Sequence, residues 1–238
     1  MRASLSTRQA QISTGHYLAW TKHLAVQLSF RHAATQSIWR FVELGMNIDD
    51  IKGRLAFLQE AEKLKSVLRS SHTSTGRAES TAEHTWRLCL MAMTFADELA
   101  GMDMLKILKM CLVHDLGEAI HGDIPAIEKN QHPDKSAQEK TDLLHLTRSL
   151  EESHRSAILA LWQEYEDAST PEAKAVKALD KLETILQHNQ GLNPPDFDYE
   201  FNLTYGQKHT SADPLFALMR SIIDEATRQR LAEKISAV

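Results

Sequence analysis

The chain of 238 residues is short of the residue types that build loops and cross-links. Nine glycines and six prolines are too few for a loop-rich all-β fold, so helix is favoured. There are two cysteines, Cys89 and Cys111, both in apolar helical contexts. That argues against a disulfide framework and fits reduced core thiols in a cytoplasmic protein. No apolar run approaches the ~18 residues of a membrane span, so no membrane partner is expected. Acids are nearly missing from residues 1–45, where Arg2, Arg8, Lys22, Arg31 and Arg40 face Glu43 alone, a net of +4. The whole chain carries −5, which leaves −9 on residues 46–238. An acidic body argues against a nucleic-acid polymer as partner, because phosphate backbones need a basic face. A small anionic ligand needs only a few local cations.

What is present is an ordinary globular composition, 42% hydrophobic and 25% charged. The break near Met46 suggests two parts. Residues 1–45 form a Ser/Thr-rich extension with no site candidate and no secretory core. Its composition resembles an organelle transit peptide; a native helical extension, or translated sequence upstream of Met46, accounts for it more simply. Residues 46–238 form one all-α domain that ends in a C-terminal helix.

Helical spacing dominates that domain. Apolar residues at 51, 55, 58, 61, 64, 67 and 68 predict a helix through "DDIKGRLAFLQEAEKLKSVLR". A polar loop, "SSHTSTGRAE", follows. Ser80 and Glu83 have capping-box spacing, opening a helix that closes on Gly101. Asp103 caps the next, expected to continue to Gly122. "GDIPA" is a turn, and residues 127–138 are a loop. Helices are predicted at about 138–150 and 152–168. Another runs from a Ser169/Glu172 capping box, with Pro171 in its first turn, to Gly191. The segment "LNPPDFDYEFN" is irregular, and a last helix covers about 214–235. No strand is predicted.

One stretch does not fit a purely structural account. Within "MCLVHDLGEAIHGDIPA" (110–126), an apolar stripe runs into His114, Asp115, Glu118, His121 and Asp123. Buried acids and imidazoles are costly unless paired. Either this is a solvated helix end or a cation sits among them. On a continuous helix Glu118 shares an edge with His114 and Asp115. Imidazole and carboxylate are ligands for a divalent ion. Two further polar residues, His84 in "AEHTWR" and Asp180 in "KALDKLE", occupy positions where an apolar residue would be unremarkable.

The ordered set His…His-Asp…Asp resembles the HD-domain metal-dependent phosphohydrolases. It is most similar to the branch that holds the bacterial 5'-deoxynucleotidases and their eukaryotic relatives. The resemblance is carried by "LKSVLR", "STAEHTWRLCLMAM", "LVHDLGEAIHGDIPA" and "AVKALDKLETILQH", and it covers roughly 50–190. It implies an all-α HD-domain bundle with one divalent ion (Mn, Co, Zn, Fe or Mg) in its core. It implies His84, His114, Asp115 and Asp180 as metal ligands. Glu118 matches the acid that handles the attacking water, and Asp123 a residue near the sugar and leaving group. Arg69 matches an arginine that meets phosphate; Arg77 is a second cation on the same loop.

Each residue has a structural alternative: a hydrogen-bonded core histidine, a surface ion pair for Asp180 with Lys181, a solvated Glu118, a turn-capping Asp123, an Arg69 at a helix end. Singly these alternatives win; five coincidences in the family's order favour the site. His121 stays with its structural role. The implied activity is phosphate release from a nucleoside 5'-monophosphate, or another small phosphomonoester, by water activated on the ion. Triphosphate hydrolysis, a phosphodiesterase and a non-catalytic sensor remain open, and so does a homodimer. Ser70 stands where the deoxynucleotidase prototype carries a tryptophan that helps exclude a ribose 2'-hydroxyl. The stretch "LETILQHNQG" is similar to a bacterial subgroup.

Overall fold

A computed structural model describes residues 47–236, apart from His132. The proposed extension, residues 1–45, lies outside the described residues. The chain divides into two units, residues 1–52 and 53–238, and every site candidate belongs to the second.

In chain order the elements are α1 (Ile48–Ala61), a 3-10 turn (Glu62–Lys65), β1 (Leu68–His72), β2 (Ala78–Ser80), α2 (Thr81–Thr94), α3 (Met104–Val113), α4 (Glu118–His121), a 3-10 segment (Ala126–Gln131), α5 (Lys135–Leu146), a 3-10 turn (Thr147–Ser149), α6 (Glu152–Asp167), α7 (Pro171–Gln190), α8 (Tyr199–Asn202), α9 (Gln207–Thr210) and α10 (Pro214–Ser236). The all-α expectation holds, with one small departure. β1 and β2 pair antiparallel, Leu68 opposite Ser80 and His72 opposite Ala78, with an irregularity between. The apolar residues Val67 and Leu68 continue a helical spacing, but α1 stops at Ala61 and the chain turns into the hairpin instead.

α7 is the centre of the domain. Twelve of its twenty residues are buried, on more than one face, as expected of a helix enclosed by others. It packs against α2, α3, α6, α10 and β1. Its N-cap is Thr170, one residue later than the sequence spacing predicted, with Pro171 in the first helical position; the Thr170 hydroxyl accepts from the Ala173 amide at 3.2 Å. At its other end Gly191 lies where a β-carbon would stand 2.3 Å from the His72 carbonyl, so only glycine lets β1 approach.

α2 starts as expected, with the Ser80–Glu83 capping box intact. Its buried residues, Thr81, His84, Thr85, Leu88, Met91 and Ala92, follow a helical stripe. The helix ends at Thr94, and turns fill the space up to Gly101. α3 is capped by Asp103, as predicted.

The main correction concerns the helix expected to reach Gly122. It ends at Val113, and His114–Gly117 form turns closed by Leu116 N–H to Val113 carbonyl (3.1 Å) and Glu118 N–H to Asp115 carbonyl (3.0 Å). The reason lies in packing. Met110 and Cys111 belong to one hydrophobic cluster, with α2, α7 and α10. Leu116 and Ala119 belong to another, with Leu143, Leu146 and Trp162 of α5 and α6. The turn at His114–Gly117 falls where the packing partner changes from the first cluster to the second. Gly117 permits the close approach at that bend, because a β-carbon there would meet the Glu139 carbonyl at 2.7 Å. α5 begins at Lys135, inside the stretch expected to be loop.

Candidate metal centre

The bend places His114 as the C-cap of α3, facing His84 of α2 and Asp180 of α7. One ligand atom from each of these three buried residues lies within 4.8 Å of the others. His84 Nε2 is 3.3 Å from Asp180 Oδ1. Asp115 joins them: its Oδ2 is 3.1 Å from His114 Nε2 and 3.7 Å from His84 Nε2. Atoms each roughly 2.1 Å from one ion stand roughly 3–4 Å from one another, and the His84–Asp180, His114–Asp115 and His84–Asp115 contacts are on that scale. Asp115 approaches the two imidazoles but lies outside the mutually close set formed by His84, His114 and Asp180.

The outer nitrogens of both imidazoles are already committed. His114 Nδ1–H donates to the Cys111 carbonyl at 2.8 Å. His84 Nδ1–H donates to Glu183. Among the described residues each Nε2 is buried without a hydrogen-bond partner, facing a carboxylate instead. Two such unpaired atoms, 0% and 2% exposed at the residue level and aimed toward carboxylates, are costly in a bare protein and are what a bound cation satisfies. The residues fit a divalent ion.

The carboxylates are prepared in the same way. Asp180 Oδ2 accepts from the Tyr165 hydroxyl and the Lys181 ammonium, both at 2.7 Å, which leaves Oδ1 toward His84. Burial opposes ionisation of Asp180, but Lys181, His84 and His114 outweigh it and hold its carboxyl well below the usual range. Asp115 behaves alike: burial opposes, and His114, His84 and Arg69 prevail. For His84, burial and the Arg69 charge oppose protonation, yet Glu183 and Asp180 push its pKa up to about 10.

Glu118 is 3% exposed, next to this cluster in sequence. Its Oε2 accepts from the Thr81 hydroxyl at 3.2 Å, and Lys135 Nζ lies 3.5 Å from Oε1. Burial, with Asp115 and Asp123, pushes its pKa up to about 9. A nearby divalent cation acts in the opposite direction. Asp123 is 3.8 Å from the same lysine. Arg69, on β1, reaches the cluster: Nη1 is 3.4 Å from Asp115 Oδ2, Nη2 donates to Thr184 at 3.2 Å, and Nε is 3.7 Å from Glu79.

Arg77 is not brought to the cluster. Its exposed guanidinium is held by Glu83, with contacts of 2.6 and 3.1 Å, and by the Ala78 carbonyl, so it reinforces the capping box of α2. His121 pairs with Asp142 at 2.7 Å, a structural role. Ser70 is exposed.

Sequence reasoning missed Glu183, Tyr165, Thr81 and Lys135. Glu183 alone left a signal: it lies three residues after Asp180, one helical turn along "DKLE", among apolar neighbours.

A helical domain whose candidate ligands come from α2, the end of α3 and α7 defines a class, and comparison with known proteins names it. The chain belongs to the HD domain family, whose model matches residues 61–219. Among curated relatives, the 5'-deoxynucleotidase HDDC2 of Dictyostelium discoideum is 39% identical over 141 residues, 56% of this chain and 74% of the relative. The 5'-deoxynucleotidase HDDC2 of Danio rerio is 37% identical over 138 residues, 57% of this chain and 68% of the relative. A solved structure of a predicted metal-dependent phosphohydrolase from Magnetospirillum magnetotacticum aligns with a TM-score of 0.66 at 28% identity, over 76% of this chain and 94% of that one.

Proposed function

We propose that this chain is a metal-dependent phosphohydrolase that releases phosphate from nucleoside 5'-monophosphates. The observation that carries the reading is the pair of buried, unpartnered Nε2 atoms of His84 and His114 converging on Asp115 and Asp180. The names of the curated relatives supply the nucleotide. These four residues would hold one divalent ion, which would supply Lewis acidity toward phosphate and a lowered pKa for water. Among the described residues one cluster of this kind is present, which supports a single ion.

The chain's own groups divide the remaining work. Arg69 meets the phosphate: its guanidinium reaches the cluster, 3.4 Å from Asp115 Oδ2, and a guanidinium can bind an anion with two parallel N–H donors. Glu118, held by Thr81 and close to Asp115 in the chain, orients the attacking water and takes its proton. Asp123, in the "GDIP" turn, lies 3.8 Å from Lys135 Nζ and serves the leaving 5'-oxygen. Arg77 has no part in this scheme. Ser70 lacks the bulk of the tryptophan that helps the deoxynucleotidase prototype exclude a ribose 2'-hydroxyl, so both ribo- and deoxyribonucleotides are candidate substrates.

The test is a phosphate-release screen over ribo- and deoxyribonucleoside monophosphates, with Mn²⁺, Co²⁺, Zn²⁺, Fe²⁺ and Mg²⁺ supplied separately to metal-stripped protein. Orthophosphate from a monophosphate is the expected product. Release of tripolyphosphate from a nucleoside triphosphate alone would move the chain to the triphosphohydrolases. No turnover with any metal would leave a sensor.

A further inference from the structure

The cation that reaches Glu118 and Asp123 is Lys135, on α5, and not Arg77. It is the first residue of α5, and its side chain is 20% exposed. Nζ lies 3.5 Å from Glu118 Oε1, 3.8 Å from Asp123 Oδ1 and 3.3 Å from Glu139 Oε1, and it donates to the Ile124 carbonyl at 3.4 Å. Its ammonium is therefore shared by the two acids given chemical roles above and by the backbone of the turn that carries one of them.

The placement runs against local preference in two ways. Helix first turns favour acids over cations, yet α5 has no acid there and opens on a lysine. A lysine head near the protein interior also loses much of its hydration. Local rules broken together are found where a site demands it. Without the ammonium, Glu118, Asp123 and Glu139 would face one another and Asp115 as like charges. Among the described residues, Glu118 would keep the Thr81 hydroxyl alone to fix its orientation.

We infer that Lys135 is a positioning residue for the hydrolysis proposed above, holding the Glu118 carboxylate and the Asp123 turn in register. The inference rests on that proposal. It assigns Lys135 no contact with the ion and none with the phosphate, so its loss should appear in kcat, with metal content and KM little changed.

The experiment uses the full chain and the nucleoside monophosphate that the wild type hydrolyses best. Lys135→Met should keep its bound metal and lower kcat by roughly 10- to 100-fold, the scale of a displacement of about an ångström in a catalytic group. KM should stay within about threefold. Lys135→Arg, which can still bridge the acids, should recover about tenfold of the loss. If Lys135→Met does not fold, Lys135→Gln replaces it with the same expectation. In a background with both Glu118→Ala and Asp123→Ala, Lys135→Met should cost at most about threefold more, because both groups it positions are gone. Unchanged kcat, a loss confined to KM, metal loss, or a full additional loss in that double background would each overturn the assignment. A wild type that releases no phosphate from any nucleotide would instead bring down the proposed function, and this inference with it.

Discussion

The Nδ1–H of His84 donates to the carboxylate of Glu183, three residues beyond Asp180 on the same helix. α7 thus supplies one candidate ligand directly and fixes the ring of another. Glu183 is itself held by Arg87, whose Nε lies 2.7 Å from Oε1. A carboxylate behind a ligating imidazole sets its tautomer and raises its basicity.

Glu183→Gln should therefore weaken metal binding by roughly 10- to 100-fold without changing the ligand set. Asp180→Ala should lose the ion. In the wild type, divalent ion at 100 times Kd should stabilise the fold by about 2.7 kcal/mol, and in Asp180→Ala this gain should vanish. Titration against a competing chelator and metal-dependent thermal shifts read both. An affinity unchanged in Glu183→Gln would reduce the His84 pair to a core hydrogen bond.

Glu118 and Arg69 should separate chemistry from capture. Glu118→Ala should retain metal and bind nucleotide, yet lose turnover by roughly 10²–10⁴-fold. Arg69→Ala removes a charge that meets phosphate in both ground and transition states, so KM should rise along with any fall in kcat. Steady-state kinetics with metal analysis on both variants decide. Metal loss in Glu118→Ala would move that residue into the ligand shell.

Glu118 also predicts a pH dependence for the metal-stripped protein. Its carboxyl is pushed up from 4.5 to about 9, chiefly by burial. Between those values the folded state holds a proton that the unfolded state releases. The stability tied to that proton is whole below about 4.5 and is lost as pH rises toward about 9. Relative to Glu118→Gln, the melting temperature of the stripped wild type should fall across this window, and added divalent ion should flatten the trend. A constant difference between the two proteins would place the Glu118 carboxyl near its ordinary value.

Residues 1–45 contribute no proposed site residue. A chain that starts at Met46 should keep metal affinity and phosphate release within about twofold. A folded but inactive truncation would show that the extension completes the site or a required assembly.

Much of this site could be read from residue types in order. His84 and Asp180 stood out because each interrupts an apolar stripe, and the structure brings both to His114. The capping boxes behaved unevenly for a physical reason. Ser80 and Glu83 close a true box, whereas at α7 Thr170 takes the cap, and Glu172 instead accepts from the Asp103 amide and pairs with Lys106. The break at His114 was not legible, because helical periodicity continues through it; the change of packing partner between two clusters is a tertiary fact. The hairpin was hidden similarly, since Val67 and Leu68 suit a helix until α7 and α2 claim the space. Lys135 carried no local mark, as its partners lie up to 17 residues away.

The hydrogen that Gly117 carries in place of a side chain works as a gauge of distance. It lets the turn bearing the ligand pair rest on the α5 backbone at Glu139, one turn along from Lys135. The thickness of a methyl group inserted there would lift α5 away as a unit, and a lysine that reaches Glu118 at 3.5 Å has little slack to follow. The candidate metal ligands and the Lys135–Glu118 pair are thus kept within reach of each other by an atom that belongs to neither.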